Sequence, residues 1–153
     1  GEIMDTIDLK LLTQLYKNAR TSLKDLADMV FLSSPATSAR IEKLQKESVI
    51  KGFHADINFE ELGADCVAFI RFAPNRSLPE SFNEFIKKHP NIIECYCVAG
   101  EYTHIMKVAF KTPKDLFAFT NDLNRYGKTE VSILMENMKD IGDTDIENLI
   151  GLV

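Results

Sequence analysis

The chain has 153 residues, of which 45% are hydrophobic and 27% are charged, and it carries a formal net charge of -5. With 7 Gly, 5 Pro and 3 Cys, this composition excludes a collagen, a low-complexity disordered chain and a disulfide-stapled small scaffold. No apolar run approaches the roughly 18 residues of a bilayer-spanning helix, and the N-terminus lacks the pattern of a signal peptide, so we expect a soluble, cytoplasmic protein with no membrane partner.

The first fifty residues predict three short helices. Apolar residues recur at helical spacing over residues 5–17, and acidic residues at the start of this segment suit the positive end of the helix dipole. Ser22-x-x-Asp25 resembles a capping box and predicts a second helix of about two turns. Ser33-Ser34-Pro35 predicts the start of a third helix, which runs to about Glu47.

A strand is predicted after the third helix, because residues 49–57 alternate apolar and polar side chains. Three short helices, a tight turn before the third and a following strand are typical of a winged helix-turn-helix, whose third helix enters the DNA major groove. A three-helix packing domain without DNA affinity has the same periodicity and stays open as an alternative at this point.

The chemistry at the start of the third helix favours DNA. Its hydroxyl groups and free backbone N–H groups suit a phosphate, and cationic side chains follow one turn later. Charge is also divided along the chain, because residues 1–52 have a balance of +1 and the remainder a balance of -6, which is typical of two modules with different partners. The candidate DNA-binding residues are Ser33, Ser34, Thr37, Ser38, Arg40 and Lys43.

The rest of the chain predicts two β-α-β passes. The order βαββαβ is that of the ferredoxin-like split unit, in which both helices cover one face of an antiparallel four-stranded sheet. The predicted strands cover residues 66–72, 92–99, 103–111 and 129–135, and the predicted helices begin at Pro79 and Pro113.

The second face of this sheet has no helix to cover it. The first strand alternates Val67 and Phe69 with Ala68 and Ile70, so both of its faces are apolar. Because a lone domain would then expose a large apolar patch, homodimerisation is the simplest cover. Three cysteines in these apolar strands are interpreted as buried, reduced thiols: Cys66, Cys95 and Cys97.

Several segments, in this order and spacing, carry a family resemblance: Met4-Asp5-x-x-Asp8, Asn18-Ala19-Arg20-Thr21-Ser22, Leu32-Ser33, Arg40-Ile41-x-x-Leu44, Val49-Ile50-Lys51-Gly52-Phe53 and Val98-Ala99-Gly100-Glu101-Tyr102. Together they resemble the Lrp/AsnC family of feast/famine regulators over nearly the whole chain. The resemblance implies an α+β fold: a winged helix-turn-helix at residues 4–56, a linker at 57–64, and a ferredoxin-like RAM domain at 65–153 that includes the tail. It also implies a transcriptional regulator that binds double-stranded DNA, assembles as a homodimer and a tetramer of dimers, responds to an amino acid or related metabolite, and needs no cofactor.

Two positions depart from the family pattern. The effector loop of the family commonly reads Gly-x-x-Asp-Tyr, whereas Gly100-Glu101-Tyr102 is followed here by Thr103-His104, so Glu101 becomes the candidate to neutralise a ligand's ammonium group. Base-facing positions of the third helix include Ala36, Ala39 and Glu42, so specificity is expected to come largely from DNA shape and half-site spacing. The effector-binding residues implied by the resemblance are Val98, Ala99, Gly100, Glu101, Tyr102 and Thr103.

Two other functions stay open. Cys95, Cys97 and His104 lie across one predicted hairpin, as a metal site or a Cys/His nucleophile pair would require. A fourth ligand or an orienting acid has no obvious source, so we expect neither an enzyme nor a metal site. The second alternative is a co-regulator with little DNA affinity of its own, because Arg20 and Arg40 could brace their helices through internal hydrogen bonds.

Overall fold

The computed structural model describes residues 4–151, which form two compact units. The first unit comprises residues 4–56 and 138–151, and the second comprises residues 57–137. Among the described residues, none of the helices combines the length and the apolar composition that crossing a bilayer requires.

The three predicted helices of the first unit are confirmed as α1 (Thr6–Lys17), α2 (Leu23–Val30) and α3 (Ser34–Lys46). Each helix begins after a capping side chain that accepts a hydrogen bond from a backbone N–H three residues later. Their apolar stripes meet in a small core of Leu11, Leu26 and Val30, against which Ile7, Leu15, Leu32 and Ile41 pack.

The strand predicted over residues 49–57 is wrong, because no strand forms in the described part of the first unit. The N–H groups of Val49 and Ile50 both donate to the carbonyl oxygen of Leu44, and Ser48 takes a left-handed φ of 59°. The chain therefore closes the end of α3 here, as helix C-termini commonly do. An alternating sequence becomes a strand only where a neighbouring strand satisfies its backbone groups, and the described residues of this unit provide none.

The second unit confirms the predicted βαββαβ order. Its sheet is antiparallel, with the strand order β2-β3-β1-β4. In chain order the elements are β1 (Cys66–Pro74), α4 (Glu80–Lys88), β2 (Ile92–Cys97), β3 (His104–Phe110), α5 (Pro113–Asn124) and β4 (Gly127–Ile133).

The core of the second unit lies between the sheet and its two helices. Ala68, Ile70 and Phe72 alternate along β1 and are fully buried in a cluster with apolar residues of α4 and α5. Phe69 and Arg71 therefore point to the opposite face, where both are exposed. One sheet face is thus a closed core and the other mixes apolar and charged side chains.

The three cysteines do not share one environment. Cys66 is buried at the start of β1, whereas Cys95 is half-buried and Cys97 is exposed. The prediction of three buried thiols is therefore wrong for Cys95 and Cys97. Both lie on β2, an edge strand of the sheet, and an edge strand is covered from fewer sides than a central one.

A short helix near the end of the chain, α6 (Ile146–Leu149), lies against α1 in the first unit. The backbone N–H of Ile146 donates to Oγ1 of Thr13 at 3.1 Å. Gly142, with a φ of 92°, comes so close to α1 that a Cβ atom would lie 2.5 Å from the carbonyl oxygen of Tyr16.

This packing changes the predicted domain boundaries. Residues 138–151 lie in the first unit, although the predicted RAM domain of 65–153 included them, and the predicted linker at 57–64 lies in the second unit. The amphipathic pattern of a four-residue helix does not specify the surface on which it packs, so the sequence assigned the tail to its neighbour along the chain.

Candidate nucleic-acid interface and effector loop

The N-terminus of α3 is exposed, and its first hydroxyl serves as the helix cap. Oγ of Ser33 accepts a hydrogen bond from the N–H of Ala36 at 3.2 Å. Ser34 and Ser38 are half-buried, and the hydroxyl of Ser38 donates to the carboxylate of Glu42 at 3.5 Å. The first two turns of α3 therefore carry three serine hydroxyl groups near the free backbone N–H groups of the helix N-terminus.

Thr37 has no access to a ligand. It is fully buried, and its hydroxyl donates to the carbonyl oxygen of Ser33 at 3.0 Å. Its assignment as a DNA-binding residue is wrong, because the helical stripe that places it inward also keeps its hydroxyl inside the unit.

Arg40 joins α3 to the beginning of α1. Its Nη1 donates to both carboxylate oxygens of Asp5, at 2.6 and 2.8 Å, and to Oδ1 of Asp8 at 3.1 Å. The hydrogen bond from Arg40 lowers the pKa of Asp5, and the bond to Asp5 raises the pKa of Arg40. Arg40 thus braces the helices, one of the two roles that the sequence left open for it.

Asp5 and Asp8 therefore have two structural roles. They form a reciprocal capping box at the start of α1, with the N–H of Asp8 donating to Asp5 at 2.9 Å. They also hold Arg40, which sequence reasoning did not assign to them. The spacing Asp5-x-x-Asp8 was the available signal, because it places two carboxylates on one turn. Lys43 lies one turn after Arg40 and is exposed.

The predicted effector loop, residues 98–103, connects β2 with β3 in the second unit. It is closed by a hydrogen bond from the N–H of Val98 to the carbonyl oxygen of Thr103 at 2.8 Å. Gly100 takes a φ of 148°, a backbone conformation in which a residue with a side chain is strained. The structure therefore brings the six predicted effector residues together in one tight turn.

Two cations lie close to the ring of Tyr102. The guanidinium carbon of Arg71 is 5.0 Å and the ammonium of Lys128 is 5.3 Å from the ring centroid. Lys128 also donates to Oε1 of Glu101 at 3.4 Å, and its hydrogen bonds to Tyr102 and then Glu101 raise the pKa of Lys128. Glu101, the predicted ammonium acceptor, therefore already has a cationic partner.

Sequence reasoning missed the two cations of this cluster. Arg71 lies on β1 and Lys128 on β4, and the sheet register pairs Arg71 with Glu130, with which it forms an ion pair. Residues more than fifty positions apart become neighbours only through this register. A charged residue in an otherwise apolar strand, as Arg71 is, was the one signal in the sequence.

The Cys/His alternative gains no support from the geometry. The ring of His104 packs 5.9 Å from the rings of Phe72 and Phe82, and burial lowers its pKa. Burial and the nearby Cys97 raise the pKa of Cys95, which keeps it a thiol rather than a nucleophilic thiolate. Within residues 4–151, no group of three or more His, Cys, Asp or Glu side chains is placed to hold a metal ion.

Two family matches cover most of the chain. Residues 4–51 match a winged helix-turn-helix DNA-binding family, and residues 66–143 match the Lrp/AsnC ligand binding domain. The chain belongs to the Lrp/AsnC family. This confirms the resemblance in the sequence, and the order of helix-turn-helix and βαββαβ sheet confirms the predicted α+β fold.

Known Lrp proteins resemble the chain along most of its length. It is 33% identical over 134 residues to the HTH-type transcriptional regulator LrpA of Bacillus subtilis, covering 87% of this chain and 98% of that protein. The structure of B. subtilis LrpC shares the fold, with a TM-score of 0.83 at 24% identity over 90% of this chain and 99% of that chain. The feast or famine regulatory protein of M. tuberculosis, complexed with L-methionine, gives a TM-score of 0.81 at 26% identity over 90% of this chain and 96% of that chain.

Proposed function

We propose that this Lrp/AsnC regulator reads double-stranded DNA with the exposed side of α3. Ser33, Ser34 and Ser38 contact phosphates together with the helix N-terminus, and Lys43 adds a cationic contact one turn later. Arg40 acts indirectly, because its bonds to Asp5 and Asp8 fix α3 against α1. The exposed, capped N-terminus of α3, with three serine hydroxyls in its first two turns and an exposed lysine further along the helix, is the observation that carries this proposal.

We propose a homodimer formed through the sheet face that α4 and α5 leave open, and a tetramer of such dimers. Phe69 and Tyr96 are exposed on this face and Ile105 is half-buried, so a second copy would remove apolar surface from water. A dimer places two recognition helices about one DNA turn, roughly 34 Å, apart. Further assembly raises the effective concentration of neighbouring DNA-binding units.

We propose that an amino acid or related metabolite binds at residues 98–103. The ligand changes the assembly because it binds one assembly state more tightly than the other. The methionine complex of the M. tuberculosis relative supports this ligand class. Glu101 receives the ligand's ammonium group in place of the family's aspartate, and Lys128 then exchanges its bond to Glu101 for the ligand's carboxylate. Thermal unfolding in the presence of each of the twenty amino acids tests this, because a ligand raises the melting temperature by mass action; twenty unchanged melting temperatures would exclude an amino-acid effector.

The DNA proposal is tested by measuring affinity at several salt concentrations for a duplex from upstream of the chain's own gene and for a random duplex. We expect preference for the first, and a log affinity that falls with log salt with a slope of about 0.9 per phosphate contacted. The second candidate, a co-regulator with little DNA affinity, is favoured by the alanines exposed on α3, which cannot form bidentate base contacts. Equal, weak affinity for both duplexes would support that candidate instead.

A further inference from the structure

Phe31 is an unfavourable residue for the position it occupies. It follows the last residue of α2 and takes a left-handed φ of 57°. Glycine or asparagine is usual at such a helix end, because a side chain strains this backbone conformation. The ring is also 93% exposed, more than any other large apolar side chain that the structure describes. Phe31 thus adds strain to the first unit and buries almost nothing in return.

The position of Phe31 relates it to the nucleic-acid interface. It lies two residues before Ser33, the cap of α3, and Leu32 between them packs against the core. The exposed side of α3 continues from this turn with Pro35, Ala36 and Ala39. An exposed aromatic ring therefore begins the surface that the proposed function gives to DNA.

The beginning of this surface, residues 33–39, can make apolar contacts but not bidentate ones. Residues 33–39 contain no amide, carboxylate or guanidinium side chain, so none of them can pair with a base edge through two hydrogen bonds. The apolar groups of a duplex near a groove are the C5 methyl of thymine and the deoxyribose rings. An aromatic ring beside Ala36 and Ala39 has the chemistry to contact these groups.

We propose that Phe31 is a DNA-contacting residue whose ring packs against thymine methyl or deoxyribose groups at the edge of the groove that α3 enters. The inference rests on the proposed function and adds a contact to it. Duplex DNA is favoured over a second copy of the chain because Phe31 is continuous with the capped N-terminus of α3 and lies within the segment that matches the DNA-binding family, residues 4–51.

The test uses the full chain and a duplex enriched from a random-sequence library by the unaltered protein. Phe31→Asn removes the ring but suits the left-handed backbone, and Phe31→Leu keeps apolar contact. Met135→Asn is the matched control, because Met135 is 91% exposed but lies in the second unit. Each protein is titrated with the duplex made with thymidine and with the same duplex made with deoxyuridine, which lacks only the C5 methyl.

We expect Phe31→Asn to raise the melting temperature yet weaken DNA binding about tenfold, with an unchanged salt slope because no charge is lost. Phe31→Leu should lose less affinity, and Met135→Asn none. For the unaltered protein, deoxyuridine should weaken binding about fourfold for each methyl in contact, the factor for one buried methylene. If deoxyuridine weakens binding less in Phe31→Asn than in the unaltered protein, the ring contacts a thymine methyl. If deoxyuridine weakens binding equally in both proteins, the ring contacts deoxyribose.

Equal affinity of Phe31→Asn and the unaltered protein for the thymidine duplex would overturn the inference while leaving the proposed function standing. A changed assembly mass with unchanged DNA affinity would also overturn it, because the ring would then face another copy. Failure of the unaltered protein to enrich any duplex above random DNA would overturn both the inference and the proposed function.

Discussion

Removing the charge of Arg40 with Arg40→Met should lower the free energy of unfolding of the first unit. Two changes at Asp5 separate the ion pair from the helix cap. Asp5→Asn removes the carboxylate charge but keeps a good capping side chain, whereas Asp5→Ala removes both. The pair of Arg40→Met and Asp5→Asn forms a double-mutant cycle, in which the second change should cost little once the first is made.

The expected energies follow from exposure and geometry. The side chains of Arg40 and Asp5 are 32% and 51% exposed, so water screens their attraction. An exposed ion pair contributes about 0.5 to 1 kcal/mol. The additional hydrogen bond from Arg40 to Asp8 brings the expected cost of Arg40→Met to about 1 to 2 kcal/mol. We expect about 0.5 to 1 kcal/mol for Asp5→Asn, and about 1 kcal/mol more for Asp5→Ala because the cap is lost as well.

The pH dependence of this contribution has a defined sign. Arg40 lowers the pKa of Asp5 in the folded state, so the unfolded chain takes up this proton first as the solution is acidified. The stabilisation is therefore present above the ordinary aspartate pKa of 3.8 and is lost as the pH falls through the lowered value.

Urea unfolding followed by circular dichroism at constant protein concentration measures these energies, and amide hydrogen exchange in α1 and α3 assigns them to the first unit. DNA binding distinguishes bracing from direct contact. Lys43→Met should reduce the slope of log affinity against log salt by the amount expected for about one phosphate contact. Arg40→Met should leave this slope unchanged. A coupling energy near zero between Arg40 and Asp5, or a slope reduced by Arg40→Met, would refute the bracing role.

Three further changes test the second unit. Gly127→Ala should destabilise it by about 2 kcal/mol or more, because the new Cβ would overlap the Ala73 backbone and lie 2.7 Å from Cα of Pro74; an unchanged urea midpoint would contradict this. Burial lowers the pKa of His89 below 6.5, so stability should fall as the pH drops from that value, and melting curves of His89→Gln should show a weaker pH dependence than those of the unaltered protein. Gly100→Phe should impair higher assembly or the amino-acid response but leave the dimer, which mass measurement in solution and thermal shifts can check; full assembly and response would remove the loop from the mechanism.

Helices and strands could be predicted because their signals are local. The hydroxyl of Ser22 caps α2 through an N–H only three residues away, and Ser33 does the same for α3. The antiparallel four-stranded sheet with both helices on one face followed from the alternation of helices and strands, since few βαββαβ arrangements satisfy the packing rules. The strand expected at residues 49–57 was wrong because its hydrogen-bond partners would have to come from elsewhere.

The site was predicted less completely, because side-chain roles depend on partners. Thr37 and Arg40 stand three positions apart on α3, yet one is buried on the core side and the other extends to Asp5. Tyr102 was predicted with its loop, whereas Arg71 was not, because it approaches the ring only through the sheet.

The helices, the four strands of the second unit and their order can be read from the amino-acid sequence, since they depend on hydrogen bonds and apolar spacing within a few residues. Tertiary structure alone decided that the tail lies on α1, that Arg40 is held by the capping carboxylates, and that Phe31 remains outside the core. Such choices depend on which surfaces meet after the chain has folded back on itself, and distance along the sequence does not encode them.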